Sequence, residues 1–330
     1  MLSEAFMAKA VGNRVTEDRI LSMLKDKKSR SAYLSLAEQF LDHGKPQFSW
    51  RILRECVEST TPHCLVTQAL IQKTLDAGAK PDCTFPKVDS SPVKVSVVIC
   101  SWNRAEMLKK CLEEVKQKLS SHEGVEILVV DNGSTDNSVQ VARAAGVTQV
   151  YAAQVNAGLE IYRNAFDLCQ GELIIEVDDD VIELPENFDQ VFLDYFEAYP
   201  DYGFLGMNVV QDERTNGAKP GLENYTEDCR EEKVIERGPV VGCCAAIRRT
   251  IFDSINRFEG VTLSMSYGED RVLCSRVISV GLGVGIIRDA KCLHASGPYF
   301  SREFGYLERD VEKYRMSGMT ELAEMYERML

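Results

Sequence analysis

Residues 174–185 read IIEVDDDVIELP, so three aspartates, Asp178, Asp179 and Asp180, follow directly on a short apolar run. Adjacent carboxylates at the end of a buried strand repel one another and lose hydration, so something positive is expected beside them. A second acidic pair, Glu269 and Asp270, stands in SYGEDRVLCSRV, where a favourably charged helix N-terminus is one reading. His294 in KCLHASGP is an isolated histidine, a residue type that ligates metals or moves protons when it is not simply structural. Two further polar stretches follow apolar runs: Ser101-Trp102-Asn103-Arg104 and Asp131-Asn132-Gly133-Ser134.

The elements that must position these residues show in the periodicity. VKVSVVIC (93–100), VEILVV (125–130), TQVYAA (148–153) and ELIIEV (172–177) read as strands. Between them lie helices whose apolar positions share a face, among them Met107, Leu108, Cys111, Leu112 and Val115, then Leu159, Tyr162, Phe166 and Cys169. Strands alternating with helices at this spacing predict a parallel sheet covered on both sides. Ligands in such sheets bind beyond the carboxyl ends of the strands. The polar stretches after the first, second and fourth strands are therefore expected on one edge, facing one crevice.

Before this region the texture differs. SAYLSLAEQFLDHG, FSWRILRECVEST and HCLVTQALIQKTLDAG each carry apolar residues at helical spacing, including Tyr33, Leu36, Ala37, Phe40, Ile52, Leu53, Cys56 and Val57. They are similar to a tetratricopeptide hairpin plus half a repeat, although no fixed period extends further. AKPDCTFPKVDSSPVK (79–94) is rich in Pro, Ser and Asp and marks a boundary. The expected organisation is a helical domain over 1–90, an α/β domain over 91–298 and a helical tail over 299–330. The terminal helices are candidates for packing on one another or for a homodimer contact.

Composition removes several classes. Of 330 residues 45% are hydrophobic, enough for a real core, and 51 acidic against 38 basic residues leave a net charge of −13. That balance argues against a non-specific nucleic-acid binder or a protein held on anionic lipid by charge. No apolar stretch approaches the length of a membrane span, so a cytoplasmic protein is expected. The 11 cysteines show no C-x-x-C spacing and are read as reduced, mostly buried thiols.

Five segments in fixed order, VSVVICSWNRAEMLKKCL, EILVVDNGSTDNS, NAGLEIYRNAF, GELIIEVDDDV and SYGEDRVLCSRVISVGLG, resemble the inverting glycosyltransferases of family 2. The resemblance covers residues 93–297. It implies the GT-A fold: a mixed, mostly parallel sheet flanked by helices. It further implies a metal-dependent hexosyltransferase that moves a sugar from a nucleoside-diphosphate donor, a UDP-sugar by preference, to a hydroxyl of a saccharide or protein acceptor.

The family's functional positions carry over residue by residue. The aspartate trio looks like the D-x-D element, with Asp180 as a direct ligand of Mn²⁺ or Mg²⁺, Asp178 towards the ribose or the metal, and Asp179 on the donor side or turned away. Hard cations take oxygen ligands and keep substrate phosphates among them. His294 falls where relatives complete the metal site or meet the diphosphate. Asp131 resembles the acceptor of a base hydrogen bond, an Asx turn with Gly133 being compatible with that. Trp102 stands where the family usually has Tyr or Phe, so stacking on the base is a departure from its pattern. Ser101, Asn103, Arg104, Asn156, Gly158 and Arg163 are expected around the donor, Arg163 as a positive charge for the diphosphate or for Asp131. Glu269 and Asp270 match the E-D pair under the acceptor site, with Asp270 as base and Glu269 as support.

Gly242 in VVGCCAAIRR permits close backbone approach on the acceptor side, and residues 211–237 match a region where the family carries a mobile acceptor loop or a solvated excursion. Two other readings remain. A sugar nucleotidyltransferase would need a Gly-rich basic loop after the first strand, which CSWNRAEM lacks. A non-catalytic nucleotide-sugar-binding scaffold would not need both Asp180 and Asp270.

Overall fold

The apolar positions at helical spacing near the start of the chain resolve into α1 (Arg30–Asp42), α2 (Pro46–Ser59) and α3 (Leu65–Asp76). The computed structural model describes residues 20–22, 24, 30–59, 65–80, 93–121, 123–261, 263 and 268–330. The chain divides into two units, Met1–Ser91 and Pro92–Leu330. In the first, Tyr33, Ala37 and Phe40 of α1 meet Phe48, Trp50, Ile52 and Leu53 of α2 in one buried cluster. Phe40 and Phe48 touch edge to face at 4.6 Å. Most of the segment read as a boundary, together with Val57's side chain, lies outside what is described.

The second unit is built on a ten-stranded sheet. In chain order its strands are β1 (Val95–Ser101), β2 (Val125–Asp131), β3 (Gln149–Ala152), β4 (Leu173–Asp178), β5 (Val181–Glu183), β6 (Tyr202–Val209), β7 (Thr226–Arg230), β8 (Lys233–Arg237), β9 (Cys244–Arg248) and β10 (Gly283–His294). Their order across the sheet is β3-β2-β1-β4-β9-β6-β10-β8-β7, with β5 pairing β10 at the side. Along that path only β9 and β8 run against the other strands, so the sheet is mixed but mostly parallel in direction.

Alternation along the strands supplies both faces. Val95, Val97 and Ile99 of β1 join a core formed with α4 (Ala105–Lys118), α5 (Ser138–Ala144) and α7 (Phe188–Ala198). Val98 points the other way, into a core with α6 (Ile161–Leu168), α8 (Arg249–Ser254) and α9 (Glu269–Ser279). This is the doubly covered sheet that the resemblance implies. Helices α10 (Pro298–Glu303), α11 (Leu307–Met316) and α12 (Thr320–Glu327) close the chain within the same unit.

Register aligns the functional ends. Ser101 pairs with Asp131, and Cys100 pairs with Asp178. The three polar stretches therefore leave the sheet at one level. One expectation needs correction: residues 211–237 are not a simple excursion, because β7 and β8 form a hairpin there. The part nearest the sheet edge is also tied down, since the Lys219 ammonium pairs with Glu236 and donates to Asn208 at 2.9 Å.

Candidate active site

The carboxyl ends of β1 and β4 open on a cavity of about 440 Å³, within the usual range for a small-molecule site of roughly 300–1,000 Å³. Its wall brings together Ser101, Trp102, Arg104, Asn156, Gly158, the aspartate trio, Glu269, Asp270 and His294. Residues separated by most of the α/β unit thus meet at one place.

The positive partner that the trio requires is present. The buried Arg104 Nη1 donates to Asp179 Oδ1 at 2.9 Å and to Asp180 Oδ2 at 2.5 Å. Ser101 Oγ donates to the other Asp179 oxygen at 2.7 Å. Both oxygens of Asp179 are therefore committed within the protein, the turned-away alternative of its expected placement. Arg104, expected around the donor, lines the cavity with its guanidinium bracing two aspartates, and its Nη2 also lies 3.7 Å from Asp310.

Asp178 and Asp180 remain. His294 Nε2 stands 2.9 Å from Asp180 Oδ1 and 3.5 Å from Asp178 Oδ2. The shorter approach lacks hydrogen-bond alignment, and the buried Asp180 Oδ1 has no hydrogen-bond partner. Ligand atoms of Asp178, Asp180 and His294 all lie within 4.8 Å of one another. Two carboxylates and an imidazole, with one buried carboxylate oxygen left over, suit a divalent cation. Tyr162 fixes the remaining carboxylate, its hydroxyl donating to Asp178 Oδ1 at 3.1 Å.

The charges respond to this crowding. Burial and the neighbouring Asp180 push Asp178 up to about 6. Burial also acts against an ionised Asp180, yet Arg104 and then His294 hold it well below the usual carboxylate range. Burial disfavours a charged His294, but Asp180 and Asp178 outweigh it and raise the ring to about 9.

Across the cavity, α9 begins with Glu269 and Asp270 behind Gly268, whose φ of 128° suits glycine. A Cβ on Gly242 would lie 3.2 Å from Asp270 Cβ and 3.4 Å from Glu269 Oε1, so the glycine is what lets this strand end approach the acids. Burial, then Asp270, pushes Glu269 up to about 8. Burial raises Asp270 as well, opposed by the backbone N–H groups of Arg271 and Gly242.

Three expected residues do not line the cavity. Asp131 is buried with Oδ2 accepting from Ser134 N at 2.9 Å, the turn anticipated for DNGS, while its Oδ1 has no partner. Asn103 adopts φ 50° and uses Oδ1 to accept from Thr135 N at 2.7 Å, so it ties two loops together. Arg163 is a clear correction: it pairs with Glu160 at 3.1 Å and donates to the carbonyls of Phe258 at 2.6 Å and Val261 at 2.8 Å. Its charge is engaged by these contacts, and it does not line the cavity.

The loop at Asn156 is held by a residue the motif reading passed over. Asn132 Nδ2 donates to Asn156 Oδ1 at 2.9 Å and to Gly158 O at 3.0 Å. Also missed was the contribution of α11, from which Arg309 and Lys313 reach the cavity. Arg309 lies over the Trp102 ring at 5.0 Å and donates to its carbonyl at 3.1 Å. Trp102 therefore already carries a cation on its ring. Glu176, two residues before Asp178, is 1% exposed with neither carboxylate oxygen hydrogen-bonded. Burial, then Glu269 and Asp178, lifts its pKa well above the usual range. The described cysteines are free thiols. Among the described residues no helix is long and apolar enough to cross a membrane.

Residues 96–255 match the sequence model of the family described as Glycosyl transferase family 2. The succinoglycan biosynthesis protein ExoU of Rhizobium meliloti is 25% identical over 217 residues, 60% of this chain and 60% of that protein. The chain thus spans about 60% of that relative's length. The undecaprenyl-phosphate 4-deoxy-4-formamido-L-arabinose transferase of Proteus mirabilis is 30% identical over 132 residues, 38% of this chain and 39% of that one. Among solved structures, the mannosyltransferase PcManGT from Pyrobaculum calidifontis, in complex with GDP-Man and Mn²⁺, aligns with a TM-score of 0.47 at 14% identity. That alignment covers 88% of this chain and 85% of the mannosyltransferase.

Proposed function

Residues 96–255 of this chain belong to glycosyl transferase family 2, and from that premise we propose a metal-dependent, inverting transfer of a sugar from a nucleoside-diphosphate donor to an acceptor hydroxyl. The observation that carries this reading is the convergence of Asp178, Asp180 and His294 within 4.8 Å, on a cavity whose wall also holds Glu269 and Asp270.

Asp178, Asp180 and His294 would hold Mn²⁺ or Mg²⁺, which supplies charge neutralisation for a diphosphate. Arg104 and Tyr162 orient the two carboxylates so that Asp180 Oδ1 stays available. Asp270, raised by burial while its carboxylate accepts from two backbone N–H groups, takes the proton of the acceptor hydroxyl. The acceptor oxygen forms a bond to the anomeric carbon as the bond to the diphosphate breaks, and the electron pair leaves with the diphosphate oxygen. Glu269 is mainly protonated at neutral pH, with a pKa near 8, and offers the acceptor a hydrogen-bond donor. Two carboxyl groups whose environments push their affinities apart are suited to divided roles.

A UDP-sugar is the preferred donor, a saccharide or protein hydroxyl the acceptor class. The test is a panel of nucleotide sugars with Mn²⁺, scored by melting temperature and then by turnover on the stabilising donor. Asp270→Asn should keep donor binding within about threefold and lower kcat by about 10²–10⁴. Absence of any stabilising donor in the presence of metal would remove the reading.

A further inference from the structure

Helix α11 sends two cations to the cavity one turn apart, Arg309 and Lys313. Arg309 is neutralised at once, its Nη1 lying 2.6 Å from Asp310 Oδ1. Arg104 is neutralised by Asp179 and Asp180. Lys313 is different. Among the described residues no hydrogen bond or ion pair holds its ammonium, and its one recorded contact is the Tyr314 ring at 5.8 Å. Its electrostatic neighbours are two repelling arginines, Arg309 and Arg104, and two attracting aspartates, Asp310 and Asp180, neither of which forms an ion pair with it. A half-buried ammonium with no anion of its own, on the wall of a cavity, is costly unless a ligand supplies the charge.

Resting on the donor reading above, we propose that Lys313 is a binding residue for the donor's diphosphate, contributed by the C-terminal helix and acting beside the Asp178–Asp180–His294 group. An ammonium is suited to a diphosphate as a mobile point charge with three donors. When the bond to the sugar breaks, the departing diphosphate gains a negative charge. Lys313 meets that charge without giving up any contact within the protein, whereas freeing Arg104 would strand two buried aspartates. The same argument gives the C-terminal segment a part in the site.

The experiment is calorimetric titration of the full chain with UDP, GDP, UMP and GMP, each with Mn²⁺, and with Mn²⁺ alone, for wild type, Lys313→Met and Lys313→Arg. The expected result is that Lys313→Met weakens whichever diphosphate the wild type binds by about tenfold or more. The matching monophosphate and Mn²⁺ alone should change by less than about threefold, and Lys313→Arg should recover most of the loss. Because the ammonium has no partner to lose, Lys313→Met should melt at or above the wild-type temperature. Unchanged diphosphate affinity in Lys313→Met, with wild type binding normally, overturns the role of Lys313 and leaves the donor reading standing. Failure of the wild type to bind Mn²⁺ or any nucleotide overturns both.

Discussion

Arg104 sits 2.5 Å from Asp180 Oδ2 and leaves the other oxygen of that carboxylate, buried and without a hydrogen bond, facing His294. One side chain thereby solves the electrostatic problem of three adjacent aspartates while preserving a ligand atom. Removing it with Arg104→Met should strand Asp179 and Asp180 and lower stability by about 3–5 kcal/mol. Urea unfolding checks this, and Arg104→Lys should recover only part, because an ammonium lacks the second nitrogen that lies 3.7 Å from Asp310.

Metal affinity should depend on pH through His294. The ring is held at about 9 in the absence of metal. A cation binds the neutral imidazole, so binding must release a proton below that value, and affinity should rise with pH. Between about pH 6.5 and 8.5 the Mn²⁺ dissociation constant should fall nearly tenfold per unit. His294→Gln should bind more weakly and lose most of that slope. A wild-type affinity flat over this interval would show that His294 does not ligate.

Glu269 gives stability a slope of the opposite kind. Its pKa is near 8 in the fold against an ordinary 4.5, so the folded chain binds the extra proton between these values. Stability should therefore fall as pH rises from about 4.5 through 8. Glu269→Gln keeps the shape and removes the titration. Its melting temperature should exceed that of wild type increasingly above pH 6, and a constant difference across the range would contradict the assignment.

Arg163 tests the line between site and scaffold. Its contacts to Glu160, Phe258 O and Val261 O are internal. Arg163→Met should cost about 1.5–3 kcal/mol of stability, since two carbonyls lose a charged donor. Nucleotide affinity of the folded variant, measured by calorimetry, should stay within about twofold. A selective loss of diphosphate binding would restore the role that the sequence pattern suggested.

That misreading shows where the sequence stops being informative. The β-branched runs of β1, β2 and β4 were legible because strands buried on both faces need continuous apolar residues, and the polar residues at their ends marked the edge on which Ser101, Asp178 and Asp180 gather. Arg163 follows the loop at Asn156 and Gly158, but its carbonyl partners come from about a hundred residues away, beyond any local pattern. The same holds for α11: periodicity shows that Leu307, Val311 and Tyr314 share a buried face, not which surface that face covers. Hence Arg309 and Lys313 escaped notice. The β7–β8 hairpin was missed because β7, TEDCR, is an edge strand with no apolar alternation to announce it.

The most direct measurement is Mn²⁺ binding followed by electron paramagnetic resonance on wild type, Asp178→Asn, Asp180→Asn and Asp270→Asn, each checked for folding by circular dichroism. The expected result is one Mn²⁺ per wild-type chain, with affinity lowered at least about tenfold in the Asp178 and Asp180 variants and unchanged in Asp270→Asn. Equal binding by folded wild type, Asp178→Asn and Asp180→Asn would contradict the assignment of this acidic strand end as the cation site.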